Sequence, residues 1–138
     1  MELVERVETL FSETGPLVFL LENFEPRPGQ KAMALSCAAA FQDSRVALIE
    51  AGTGIGKSLA YLVPALLLAR EKGKRVVIST NTICLQEQLL SKDIPLAKRA
   101  LAFEGRVALV KGTRNYLCLR RLGGEEENLG VPQWPLGH

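Results

Sequence analysis

Residues 51–58 read Ala-Gly-Thr-Gly-Ile-Gly-Lys-Ser. Three glycines at alternate positions, followed by a lysine and a hydroxyl, suit the binding of phosphate. Gly52, Gly54 and Gly56 allow backbone conformations closed to other residues and a close approach to a ligand, so that successive N–H groups can aim at phosphate oxygens. Lys57 has the reach and charge to meet the β- and γ-phosphates of a nucleotide, and it is the candidate catalytic residue. Ser58 offers a hydroxyl to Mg²⁺. Ala51, Thr53 and Ile55 complete the loop, with Ala51 where such patterns commonly begin with glycine. The chemistry implied is the binding of ATP with Mg²⁺.

Such a loop works only if a strand delivers the chain to it and a helix leads away. Val46-Ala47-Leu48-Ile49 is an apolar run suited to a buried strand, and Leu59 to Ala69 has a helical apolar pattern. That helix would turn its positive N-terminal end toward the same anion. A glycine- and serine-rich turn with an incidental lysine would not require this agreement of strand, spacing and helix.

The remaining elements follow in order. Leu3, Val4, Val7, Leu10 and Phe11 fall at helical spacing, and Thr14-Gly15-Pro16 ends that helix. Pro16 to Phe24 is apolar but irregular, and Glu25-Pro26-Arg27-Pro28 is held extended by its prolines. Pro28 opens a helix running to Phe41, and Asp43-Ser44 turns into the first strand. Pro64 should bend the helix after the loop, and Gly73 should cap it. Arg75 to Ser79 reads as a second strand, Thr80-Asn81-Thr82 leads into a helix carrying Leu85, Leu89 and Leu90, and Pro95 divides that helix from the next. Arg106 to Val110 reads as a third strand, and Tyr116 to Leu122 as a short basic helix. Strands separated by helices predict an α/β fold with a parallel sheet.

Composition bounds these expectations. The 138 residues, 47% hydrophobic and 23% charged, suffice for one core of ordinary domain size. No apolar run reaches the length of a membrane span, and the acidic start, Met1 to Arg6, lacks the basic region of a signal peptide, so a cytoplasmic protein without membrane contact is expected. Cys37, Cys84 and Cys118 are too few and too far apart for a disulfide framework or a zinc site; Cys37 and Cys84 are expected to fill the core. Net charge is +2, but twelve of the Lys and Arg residues against four Asp and Glu lie between Arg70 and Arg121. That stripe could meet a nucleic-acid backbone, or could simply be solvated helix faces. Residues 123–138 show no period, and Trp134 and His138 there are taken as incidental. Residues 1–15 and 123–138 are expected to pack poorly.

An acidic strand end is needed to hold Mg²⁺ and position water for hydrolysis. The two aspartates do not provide it: Asp43 precedes the first strand, and Asp93 lies in Lys-Asp-Ile-Pro, read as a helix-breaking turn. The 138 residues are therefore expected to carry the nucleotide-binding front half of a motor domain without its hydrolytic half.

Four ordered blocks carry a family resemblance: Arg27-Pro28-Gly29-Gln30; Glu50 to Ser58; Ile78-Ser79-Thr80-Asn81-Thr82-Ile83-Cys84-Leu85-Gln86-Glu87-Gln88-Leu89; and Lys111-Gly112-Thr113-Arg114-Asn115-Tyr116-Leu117-Cys118-Leu119-Arg120-Arg121-Leu122. Over about residues 17–122 the chain resembles the N-terminal part of DinG/XPD-like superfamily 2 DNA helicases, in which alanine at the start of the phosphate loop is usual. The resemblance implies an incomplete RecA-like P-loop domain, preceded by an N-terminal helix over 1–16 and followed by a loose tail over 123–138. It implies adenine recognition by Gln30 with Arg27, contact of Thr80, Asn81 and Thr82 with single-stranded DNA, and a monomer. It also implies that Cys118 is the first of four ligands to a 4Fe-4S cluster in a longer parent. The family's activity is ATP hydrolysis coupled to 5'-3' unwinding in DNA repair or replication. A non-catalytic nucleotide-binding fragment remains open, as does a small P-loop nucleotide kinase, although the Thr-Asn-Thr and Gln-Glu-Gln blocks have no role in a kinase.

Overall fold

The computed structural model describes residues 2–21, 24–119 and 122. The chain divides into two units, Met1–Arg106 and Val107–His138. The first is built around one helix. This helix, α4 (Lys57–Lys72), follows α1 (Leu3–Leu10), α2 (Pro16–Leu20) and α3 (Pro28–Gln42), and precedes α5 (Ile83–Gln88) and α6 (Ile94–Leu101).

The N-terminal segment packs into the core, contrary to expectation. Its helix α1 opens with a reciprocal cap between Glu2 and Glu5 and buries Leu3 and Val7, while Phe11 is buried just beyond it. Apolar residues three and four apart place this stripe on one face, against α3 and α4. Lys31 of α3 pairs with Glu8 at 3.3 Å, and Arg6 pairs with Glu71 of α4. The stretch after Pro16, irregular in sequence, forms the short α2 with proline in its first turn and Leu17 fully buried. Gly15 makes the tight approach possible, because a Cβ there would run into the carbonyls of Thr9 and Leu10.

α4 is buried along most of its length. Ala60, Leu62, Val63, Pro64, Ala65 and Leu67 are all inside. Pro64 lies within the helix as the sequence predicts, and the small Ala60 four residues earlier leaves room for its ring. Gly73 closes the helix in the left-handed conformation at φ +60°. Arg70 donates to the Leu101 carbonyl and fastens α4 to α6.

Pro95 does not break the next helix. α5 passes directly into a π turn over Leu89–Asp93, and α6 begins at Ile94 with Pro95 in its first turn. Because the helix is continuous through Asp93, Pro95 forgoes one backbone bond to the preceding turn, and the wider π turn there absorbs the local misfit. In the second unit, a 3₁₀ turn spans Thr113–Asn115 and Tyr116 is extended, so the predicted basic helix does not begin there; a helical bond runs from Leu122 N–H to the Cys118 carbonyl.

The predicted parallel sheet is not seen: no strand occurs among the described residues. Among the described residues, segments 46–49 and 75–79 are not assigned to a strand, and Val46, Leu48 and Val77 are 100%, 101% and 90% exposed. A strand is stable only through a ladder and a covered face, whereas here the apolar surfaces of the helices are spent on one another. The tail, including Trp134 and His138, lies outside the described residues.

Candidate phosphate-binding site

The loop predicted to hold phosphate leads straight into α4, whose first residue is Lys57. Gly54 and Gly56 are left-handed, with φ of +78° and +80°, so glycine at these two positions follows from backbone conformation. Positions 52 and 54 face open space, since a Cβ on either glycine would meet nothing within 4 Å. The leading N–H groups of α4 have no intrahelical acceptors, and the helix dipole adds positive potential at the same end.

Lys57 turns back over the loop. Its ammonium donates to the Ala51 carbonyl at 2.9 Å and to the Gly52 carbonyl at 2.8 Å. An ammonium has three donors. The arrangement holds a cation against the glycine-rich turn, next to open space and to N–H donors, which is a donor set suited to a polyphosphate. Thr53 and Ile55 complete the turn, Thr53 exposed and Ile55 half-buried.

Two more predicted residues arrive from the start of α3. Arg27 is the N-cap of that helix, and its guanidinium donates to the Gly54 carbonyl. Gln30, one turn on and only 3% exposed, donates through Nε2 to the Gly56 carbonyl at 2.9 Å. Its Oε1 is buried without a hydrogen-bond partner, leaving an acceptor beside the loop. The proline-rich approach explains the placement: Arg27 is extended before Pro28, and Pro28 starts the helix. Arg27, Gln30, the glycines, Lys57 and Ser58 thus converge.

Ser58, the predicted Mg²⁺ ligand, is half-buried on the first turn of α4, three residues before Tyr61. Burial pushes the Tyr61 hydroxyl above its ordinary pKa; the Ser58 hydroxyl opposes that shift, and the carboxylate of Asp93 reinforces it. Asp93 is 8% exposed and accepts from Gln88 Nε2 at 3.2 Å. It is buried inside a continuous helical stretch rather than in a helix-breaking turn, which corrects the expectation for Asp93. Only the π turn and tertiary packing bring Asp93 inside.

The Thr80–Thr82 segment forms the cap of α5. Thr82 Oγ1 accepts from Leu85 N–H at 3.2 Å, and Thr80 Oγ1 donates to the Thr82 carbonyl at 3.1 Å. All three of Asn81, Thr82 and Ile83 are exposed, and Thr80 is half-buried. Both hydroxyls therefore order the turn itself. Cys84 is exposed, which corrects its assignment to the core: α5 buries no residue. Cys37 is half-buried, and burial raises its thiol pKa. Cys118 is exposed in the second unit, and no group of three or more His, Cys, Asp or Glu residues able to hold a metal occurs among the described residues.

Comparison with known proteins places this loop in a family context. A family model described as DEAD/DEAH box helicase matches residues 27–127. The ATP-dependent DNA helicase YoaA of Haemophilus influenzae is 44% identical over 122 residues, covering 88% of this chain and 18% of that protein. The 3'-5' exonuclease DinG of Bacillus subtilis is 44% identical over 100 residues, covering 72% and 11%. The ATP-dependent helicase DinG of Mycobacterium tuberculosis is 47% identical over 100 residues, covering 70% and 15%. The chain thus spans less than a fifth of the length of these relatives. No solved structure matches. Among the described residues no helix is long and apolar enough to cross a membrane.

Proposed function

We propose a function from one premise: the chain belongs to the DEAD/DEAH box helicase family. Its 138 residues bind ATP with Mg²⁺ as the nucleotide-binding front of a RecA-like motor domain, part of an ATP-dependent DNA helicase of the DinG type. The observation that carries this is the Lys57 ammonium seated on the Ala51 and Gly52 carbonyls at the first residue of α4.

In this reading the loop N–H groups and Lys57 hold the β- and γ-phosphates, and the Lys57 contacts to carbonyls exchange for contacts to phosphate. Arg27 and Gln30 fix the back of the loop, and the unpaired Oε1 of Gln30 is an acceptor for the amino group of adenine. Ser58 holds Mg²⁺, which when bound neutralises charge between the β- and γ-phosphates. Thr80, Asn81 and Thr82 present N–H groups at the start of α5 to the backbone of single-stranded DNA, a contact that does not read sequence. Cys118 serves a 4Fe-4S cluster only together with further cysteines of a longer protein, which couples ATP hydrolysis to 5'-3' unwinding. Without a strand-ending acidic pair, the 138 residues bind nucleotide as a monomer with scarcely any turnover.

Calorimetric titration with ATP and Mg²⁺ tests this. Lys57→Ala deletes a charge-assisted contact and should weaken binding roughly tenfold or more. Equal affinity in the variant, or robust hydrolysis by the unaltered chain, would overturn the assignment.

A further inference from the structure

In the second unit, residues 111–116 close into a defined turn that the nucleotide contacts above do not use. The Lys111 N–H donates to the Tyr116 hydroxyl at 2.9 Å, so the phenol ties the end of the turn to its beginning. Within it the Asn115 N–H donates to the Gly112 carbonyl at 2.9 Å and the Tyr116 N–H to the Thr113 carbonyl at 3.3 Å, around the 3₁₀ step at Thr113–Asn115. Holding the hydroxyl holds the ring. The ring nevertheless stays 54% exposed, and Arg114, in the middle of the same turn, is exposed as well. From Val107 to Leu122 the sequence carries four Lys or Arg residues and no Asp or Glu.

An exposed ring alone would suit any apolar partner. Beside a guanidinium, in a stretch without a carboxylate, it suits a polyanion that carries flat apolar groups along its length, which is the chemistry of single-stranded nucleic acid. A duplex keeps the faces of its bases inside the stack, so a ring on a turn needs a strand whose bases are free. Anchoring the phenol through its hydroxyl restricts the ring before anything binds, which lowers the entropy lost on stacking. We propose that the 111–116 turn is a single-strand contact separate in sequence from Thr80–Thr82, in which Tyr116 stacks on a base and Arg114 meets an adjoining phosphate; it rests on the reading that the chain binds single-stranded DNA. Such a contact tolerates any sequence, because every base has a π-face.

The test is fluorescence anisotropy of two labelled strands titrated with the chain, oligo(dT) and a strand of the same length made of abasic sugars. Tyr116→Leu keeps an apolar side chain and removes the π-face; it should weaken oligo(dT) binding about five- to a hundredfold and leave binding of the abasic strand unchanged. Tyr116→Phe keeps the ring and loses only the bond from Lys111, so its oligo(dT) affinity should lie nearer the wild type than that of Tyr116→Leu. Arg114→Gln should weaken both strands and lower the slope of log affinity against log salt by about 0.7, the share of one phosphate, whereas Tyr116→Leu should leave that slope in place. Wild-type affinity in Tyr116→Leu, or equal losses on the two strands, overturns the stacking role while the Thr80–Thr82 reading stands. An unchanged slope in Arg114→Gln overturns the phosphate contact. Failure of the unaltered chain to bind either strand overturns the proposal together with the single-strand reading beneath it.

Discussion

Replacing Gly56 with alanine should destabilise the chain through two separable effects. Gly56 has φ of +80° and ψ of +40°, a left-handed conformation that costs an L-residue about 1–2 kcal/mol. A Cβ there would also strike the Gln30 amide nitrogen and lie 3.1 Å from its Cδ. Gln30 is buried, so it can yield only by giving up its bond to the Gly56 carbonyl, adding about 0.5–1.5 kcal/mol. The total is about 1.5–3.5 kcal/mol, or a fall of roughly 1–2 M in the urea midpoint of a small domain. Gly54→Ala is the internal control. Its φ is +78°, but its Cβ meets nothing within 4 Å, so only the conformational cost applies, about 1–2 kcal/mol. Urea unfolding followed by circular dichroism measures both variants, and a third, Gln30→Ala with Gly56→Ala, measures their coupling. With Gln30 truncated, the Gly56 substitution should cost no more than Gly54→Ala does alone. Equal midpoints for the two glycine variants, or strict additivity with Gln30→Ala, would refute the claim that Gln30 braces the loop.

Other measurements bear on the remaining features. Leu17→Ala removes a fully buried side chain and should cost about 2–5 kcal/mol, whereas Leu48→Ala, at a fully exposed position, should leave the unfolding midpoint within error. Alkylation at neutral pH should label Cys84 and Cys118 quickly and Cys37 slowly. Burial raises the Cys37 thiol pKa, so its thiolate, the reactive form, gains only as pH rises; mass spectrometry of timed samples reads the order. Binding to single-stranded oligonucleotides, if carried by the basic stretch between Arg70 and Arg121, should weaken roughly tenfold to twentyfold between about 50 and 200 mM salt for about three neutralised phosphates. An affinity indifferent to salt would remove that stretch from the contact.

The features legible in the sequence share one property: a short piece of chain determines them. The left-handed glycines, Pro28 at a helix start, Gly73 at a helix end and Thr82 as a cap each follow from residue type and local spacing. What was not legible depends on distant partners. Nothing near Cys84 announces that α5 buries no face, and nothing near Asp93 announces that a π turn will carry it inward. Leu3 and Val7 had the spacing of a buried stripe, but the cover supplied by α3 and α4 came from segments that begin only at Pro28 and Lys57. The apolar patterns of 46–49 and 75–79 suit strands, yet pairing is a property of two segments, and a pattern in one cannot supply the other.

This contrast explains how the phosphate loop can have a defined shape beside an unpaired segment. In a strand-turn-helix unit the loop is normally held from both ends. Here Val46 and Leu48 are fully exposed and only Ile49 is half-buried, so Val46 and Leu48 contribute no packing that could fix it. The contacts that do fix it come from the helical side: Arg27 to the Gly54 carbonyl, Gln30 to the Gly56 carbonyl, and Lys57 to the Ala51 and Gly52 carbonyls. Together they engage four of the six residues between Glu50 and Lys57, and all but Lys57 originate on α3, which itself packs along the buried α4. The loop conformation is therefore a property of the α3–α4 pair. It should survive substitutions at Leu48 or Val77 and fail on substitutions at Arg27 or Gln30, because only the latter touch the carbonyls that set its path.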